Sequence, residues 1–250
     1  MEKKMYGTVL LKANKILDCL ADGKSRLVQE IAQETDITAP TVSKILTTLQ
    51  YINYVSRTAF TKEYYLGSKI IGYGNINTGA TSLIETTRSY LNQLQSDVNE
   101  TIHLSVPEND RFVYVRKIIP KNPSIYLSSE VGLARPLYCS GMGKAILSSC
   151  SDRWIEGYLN RTKLKPYTDH TITTPKELKD NIKIIREKGY ATDIEEQEND
   201  CCCIATSLTK EDRIISALSV SLPKGKLTPE YSQFIINKVL TTKKEIEIVL

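Results

Sequence analysis

The sequence predicts an α+β protein in two parts, and three observations carry that prediction. Apolar residues in the first 50 positions recur at helical spacing, in three short segments parted by turns. From residue 101 onward, strand-length runs such as "TIHLSV", "RFVYVRKII" and "RIISALSVSLP" stand among helical stretches. The first two of these runs are parted only by "PENDR", a hairpin turn, so neighbouring strands run antiparallel. The expected bounds are 1–75 for the helical head, 76–98 for a linking helix and 99–250 for the mixed domain. With 250 residues, 41% hydrophobic and 25% charged, the chain has the composition of a globular protein and is long enough for two domains.

In the head, Val9, Ala13, Ile16, Leu17 and Leu20 mark the inner face of a first helix, which "ADGKS" ends at a glycine turn. "LVQEIAQET" makes a short second helix with Leu27, Ile31 and Ala32 inward. "DIT" turns into a third, "APTVSKILTTLQ", where Val42, Ile45, Leu46 and Leu49 recur at i, i+3, i+4 and i+7. Thr38 suits its cap and Pro40 its first turn. Short helices joined this tightly form a helix-turn-helix. The outer face of the third helix offers Thr41, Ser43, Lys44, Thr47 and Thr48, small hydroxyls and one cation that fit a major groove. No carboxylate stands between Asp36 and Glu63. "NYVSR" and "EYYLG" then alternate as two strands of a wing with Arg57, Thr58 and Lys62 at its tip, placed for backbone or minor-groove contact.

Charge agrees with that partner. Residues 1–75 carry ten Lys or Arg against seven Asp or Glu, and the other 175 carry 23 against 22. Most of the +4 net charge therefore lies in the head, a mild basic excess that suits an anionic partner such as double-stranded DNA.

After the head, "SLIETTRSYLNQLQSDVNE" reads as a long helix with Leu83, Ile84, Leu91, Leu94 and Val98 inward. "SIYLSS" reads as a further strand. "GMGKAILSSC" and "SDRWIEGYLN" open two helices. "TPKELKDNIKIIREKGY" is a third, with Thr174 and Glu177 as capping box and Gly189 as its stop. "CIATSLT" and "RIISALSVSLP" are buried strands, and "PEYSQFIINKVLTTKKEIEIV" closes the chain as a helix.

Two stretches carry a resemblance. "RPLYCSGMGKAIL" and "KGYATDIEEQENDCCCIATSL" are similar to the two signature segments of the IclR family of transcriptional regulators, and the winged head precedes both as in that family. "YYLGSKIIGYG" resembles the end of the family's wing. The resemblance spans almost the whole chain. It implies a GAF-like C-terminal domain that binds a small organic acid, and a homodimer or dimer of dimers that represses or activates genes. Repression is the commoner mode in the family. It assigns the acid to Gly141 and Met142 at a helix N-terminus, Asp193, Cys203, Ser219, Ser221 and the apolar Leu127. In members that bind two- or three-carbon acids, the positions of Arg135 and Cys201 can be leucine. Arg135 therefore either pairs with a second anionic group, favouring a larger or more polar acid such as a sugar acid over glyoxylate, or points to solvent or caps its loop.

The triplet Cys201, Cys202 and Cys203 has other readings. As a redox- or metal-sensing cluster it would make the chain a DNA-binding regulator of a different kind. A single ion is disfavoured, because alternate side chains of a strand point to opposite faces and His103 and His170 lack ligand spacing. No cofactor or metal is expected. No nucleophile–base pair is visible, so catalysis is not expected. Among the neighbouring acids, Asp193 faces inward and the rest solvent. No stretch approaches the ~20 apolar residues of a membrane helix, and no signal peptide is evident. The expected place is the cytoplasm, where the six cysteines stay reduced.

Overall fold

The computed structural model describes residues 6–74 and 79–250. These fall into two compact units, divided between Thr78 and Gly79.

The first unit holds α1 (Thr8–Leu20), α2 (Val28–Thr35), α3 (Ala39–Tyr51), β1 (Val55–Arg57), β2 (Tyr64–Leu66) and α4 (Ser68–Gly74). Its core gathers one face of each helix: Ile16 and Leu20, Ile31, then Val42, Ile45, Leu46 and Leu49, closed by Val55 and Tyr64 of the wing. The turn between α2 and α3 is three residues long because Asp36 takes the left-handed conformation (φ 55°) and Ile37 is driven into the core. β1 and β2 pair antiparallel, Arg57 opposite Tyr64. Three expectations are corrected here. Val9 is exposed, since α1 projects its first turn beyond the core. Leu27 is also exposed, because it sits at the extended cap of α2 rather than within the helix. Thr38 precedes α3 but takes no backbone amide, its hydroxyl bonding that of Thr41 at 2.9 Å.

The second unit is an α+β domain. Six strands, β3 (Thr101–Glu108), β4 (Arg111–Ile118), β5 (Ala134–Pro136), β6 (Ala191–Ile194), β7 (Cys201–Lys210) and β8 (Arg213–Pro223), form one sheet in the order β5-β4-β3-β8-β7-β6. Every pairing is antiparallel. α5 (Ala80–Val98) and α9 (Pro229–Val249) cover one face. α6 (Gly141–Ser148), α7 (Asp152–Arg161) and α8 (Pro175–Lys188) belong to the other. The caps follow the sequence: Ser151, Thr174 and Thr228 each accept a first-turn amide, and Gly189 ends α8 at φ 78°.

The expected linking helix begins at Ala80, and residues 76–78 of it lie outside the described residues. It packs Leu83, Leu91, Leu94 and Val98 into the core of the second unit. "SIYLSS" is not a strand. The Lys117 ammonium takes the carbonyls of Leu127 (3.1 Å) and Ser129 (2.6 Å), so these are not ladder acceptors and the segment runs as a loop.

Two-residue alternation divides the central strands cleanly. Ile102 and Leu104, Cys202 and Ile204, and Leu218, Val220 and Leu222 pack toward α5 and α9. His103, Cys201, Cys203, Ser219 and Ser221 face the opposite side, where they line a cavity. No helix among the described residues is long and apolar enough to cross a membrane.

Candidate functional site

The cavity lies between the sheet, the N-terminus of α6 and the loop that joins β4 to β5. It contains about 450 Å³ of empty space, part of it open to solvent. Register assembles its floor. Asp193 pairs opposite Cys203, Cys203 opposite Ser221, and in the adjoining row Ser219 pairs opposite His103. Directly opposed residues share a face, so neighbouring strands deliver these side chains to one wall. The Cys203 thiol lies 3.2 Å from the Ser221 hydroxyl, and His103 Nδ1 lies 3.3 Å from that same hydroxyl.

The helix supplies the other wall. Ser140 caps α6 by accepting the Gly143 amide at 3.2 Å. The amides of Gly141 and Met142 have no intrahelical acceptor, as in the first turn of any helix, and they border the cavity. Two glycines permit the approach. A Cβ on Gly141 would sit 3.2 Å from that of Ala205 and 3.7 Å from that of Asp193. A Cβ on Gly143 would sit 2.2 Å from the Leu137 carbonyl oxygen, so no side chain fits there.

From the loop come Leu127, Ser128 and Ser129. Ser129 bonds His103 Nε2 at 2.8 Å, and Arg135 Nη2 donates to the Ser128 hydroxyl at 3.0 Å. That hydroxyl in turn donates to Glu198. Arg135 Nε is buried without an acceptor.

The electrostatics are unusual for so small a space. Burial, aided by the charge of Glu196, pushes the Asp193 carboxyl up to about 7, against the pull of two backbone amides and Lys144. Burial, with Lys117 nearby, holds His103 down to about 3, so it is neutral at ordinary pH. The Cys203 thiol is pushed well up by its contact with Cys201 and by burial, and burial lifts Cys139 to about 12. Behind Asp193 lies a buried ion pair between Lys144 of α6 and Glu196. Glu196 Oε2 is unpartnered, while the Glu196 amide donates to Asp193 at 2.8 Å.

All eight positions singled out for the acid, Leu127, Arg135, Gly141 and Met142 with Asp193, Cys203, Ser219 and Ser221, line this one cavity. Arg135 faces it rather than solvent alone. His103, Tyr114 and the loop serines line it too, although the sequence did not single them out. Alternation with Ile102 and Leu104 is the signal that places His103 on the cavity face. The expectation that the acids other than Asp193 face solvent is overturned for Glu195, Glu196 and Glu198. Glu195 and Glu196 are buried because Lys224 and Lys144 neutralise them, and Glu198 borders the cavity. Cys202 packs in the apolar core, away from Cys201 and Cys203. Among the described residues, no group of three or more His, Cys, Asp or Glu is arranged to hold a metal ion.

In the first unit, Thr38, Pro40, Ser43, Lys44 and Thr47 are exposed along one side of α3, with Thr41 half-buried beside them. Arg57 lies over the Tyr64 ring, 5.2 Å from its centroid, and donates to the Lys62 carbonyl at 3.1 Å, so it is pinned across the wing. Lys62 is exposed at φ 63°. The Thr58 hydroxyl accepts the Glu63 amide at 3.0 Å and so helps close the wing turn.

Comparison with known proteins agrees with this anatomy. The family profile described as "Bacterial transcriptional regulator IclR C-terminal" matches residues 77–248, and that of the "IclR helix-turn-helix domain" matches residues 9–59. The acetate operon repressor of Salmonella typhimurium is 27% identical over 95% of this chain and 88% of its own. The crystal structure of the Thermotoga maritima IclR superposes with a TM-score of 0.78 at 28% identity, covering 96% of this chain and 98% of that one. An IclR homologue from Microbacterium hydrocarbonoxydans, solved as a complex with 4-hydroxybenzoate, shares the fold at 17% identity, with a TM-score of 0.76 and coverage of 97% and 98%. With both domains matched in order and the C-terminal profile alone spanning most of its length, the chain belongs to the IclR family of bacterial transcriptional regulators, which are not enzymes.

Proposed function

We propose that this regulator is a repressor whose hold on operator DNA is set by a small organic acid, a sugar acid being the class its cavity suits. One observation carries the reading. Free helix amides, Arg135, and Ser219 and Ser221 converge on one cavity. The amides suit a carboxylate, and the arginine and hydroxyls suit a second polar end. A related fold holding 4-hydroxybenzoate, and a relative named as an operon repressor, support the acid and the mode of action.

DNA would be read by Thr38, Pro40, Thr41, Ser43, Lys44 and Thr47 of α3 and its turn, with Arg57, Thr58 and Lys62 of the wing on the backbone. Val9, Leu10 and Leu11 leave an apolar stretch exposed on α1, which supports assembly into a dimer, or a dimer of dimers, in the cytoplasm. Sensing through Cys201 and Cys203, whose sulfurs lie 3.9 Å apart, is the competing reading. It is disfavoured because oxidation and metal capture need a thiolate and Cys203 is held in the thiol form.

The test is thermal unfolding across glyoxylate, pyruvate, sugar acids and aromatic acids. A ligand at 100 times its dissociation constant adds about 2.7 kcal/mol. The reading requires an acid that shifts unfolding in the wild type and in Lys44→Ala but not in Asp193→Ala. A shift only with zinc or an oxidant would transfer the sensing role to the cysteines.

A further inference from the structure

We propose that Asp193 binds the effector as the neutral acid, donating its O–H to the effector's carboxylate, so that capture of the effector draws a proton from water wherever Asp193 is ionised beforehand. The inference rests on the effector-site reading above and adds to it the protonation state of the complex.

The geometry forces the issue. A carboxylate seated on the Gly141 and Met142 amides shares one cavity with Asp193, whose Cβ packs close to the Gly141 backbone. Asp193 is 2% exposed, so water does not screen the two groups. Two carboxylates that share one cavity repel each other, and the buried one, Asp193, is the costlier to keep ionised. Burial and the Glu196 charge raise Asp193 from its ordinary 3.8 to about 7, so the proton resides on Asp193 rather than on the effector. A single shared proton then converts repulsion into a short, charge-assisted hydrogen bond.

The Glu196 and Gln197 amides and the Lys144 charge favour the ionised form of Asp193, but burial and the Glu196 charge outweigh them. From α6, the Lys144 ammonium is committed to Glu196. From the turn after β6, Glu196 adds negative charge, and its amide already occupies Asp193 Oδ1. From β7 and the segment before α6, Cys203 and Cys139 contribute thiols rather than cations. Cys201 and Tyr114 bring no positive charge either. From β3, His103 is neutral across the working range. Arg135 of β5 is the one cation among the residues that line the cavity, and it is held toward Ser128 and the far wall. Glu198 stands beside it at the rim.

The consequence is a measurable pH dependence. With Asp193 titrating at about 7 when free and neutral when bound, affinity falls about tenfold from pH 6 to pH 8. Isothermal calorimetry decides the matter on the intact wild type, using glyoxylate, pyruvate, gluconate and 4-hydroxybenzoate as probes. Titrations run at pH 6, 7 and 8 in pairs of buffers that differ in ionisation heat. For any probe that binds, the expected uptake is about half a proton at pH 7, rising toward one at pH 8. Asp193→Asn, which keeps a donor of the same shape, is expected to bind that probe with no proton uptake and no pH slope. A probe that binds with equal affinity at pH 6 and 8 and takes up no proton overturns this inference and leaves the effector site standing. No binding by any probe at any pH overturns the site reading, and this inference falls with it.

Discussion

Replacing Lys144 by Met isolates the buried ion pair behind the cavity. The lysine side chain is 1% exposed and that of Glu196 10%, and Lys144 is the one cation that bears on Glu196. Met fills most of the lysine's volume, so the main loss is charge. A carboxylate stranded in this position costs about 3–5 kcal/mol. Glu196 can escape that penalty only by binding a proton, which sets a ceiling. From its ordinary value of 4.5, neutralising it at pH 7 costs about 3.4 kcal/mol, and at pH 5 about 0.7 kcal/mol, at 1.36 kcal/mol per unit. The sign follows. In the variant the folded-state value of Glu196 lies far above 4.5, so stability present at low pH is lost as pH rises. Burial already raises Glu196 in the wild type, so the expected result is a destabilisation below the ceiling of about 3.4 kcal/mol at pH 7 that shrinks below about 1 kcal/mol at pH 5. Urea unfolding followed by the fluorescence of Trp154, the single tryptophan, reads the unit that contains the pair. Lys144→Met/Glu196→Gln removes both charges and is expected to return within about 1 kcal/mol of wild type at pH 7, with Asp193 still contributing a pH slope. A loss in the single variant that is under about 1 kcal/mol at pH 7, or equal at pH 5 and pH 8, would refute the reasoning.

Further outcomes follow from the same geometry. Gly143→Ala drives a Cβ into the Leu137 backbone at 2.2 Å and should destabilise by about 3 kcal/mol or more, whereas Gly225→Ala meets nothing within 4 Å and should change little in the same urea titration. Lys44→Ala should weaken binding to every DNA sequence tested and lower the slope of log affinity against log salt by about one, read by fluorescence anisotropy; an unchanged slope would remove Lys44 from the phosphate contacts. Cys202→Ser puts a hydroxyl into the apolar layer that holds Ile204, Val220, Leu222 and Ile235, and should cost about 1–3 kcal/mol in the urea titration. Cys203→Ser, beside the Ser221 hydroxyl, should cost less than about 1 kcal/mol.

Helical periodicity in the head was legible because each helix is several turns long and buries one face. The first turn of α1 and the cap of α2 mislead because Val9 and Leu27 extend the pattern past the point where a partner surface ends. β5 and β6 carry little signal, being three and four residues long and defined by their neighbours rather than their own composition. "SIYLSS" has strand composition, and only the Lys117 ammonium of a neighbouring strand diverts its carbonyls. The cavity floor was legible from alternation once Asp193, Cys203, Ser219 and Ser221 were assigned to strands. The burial of Glu195 and Glu196 was not, because their lysines lie 29 and 52 residues away in sequence. Local composition reads those acids as a solvated loop, and tertiary pairing makes them interior.

The alternation along β7 and β8 also separates two kinds of evolutionary freedom. Odd positions such as Cys203, Ser219 and Ser221 face the cavity, while even positions such as Cys202, Ile204 and Val220 hold the domain together. Exchanging a residue in the first set changes polarity and volume in the cavity without opening a void in the hydrophobic layer. Point substitutions on one side of two strands can therefore reshape the cavity while the scaffold and the DNA-binding head stay untouched.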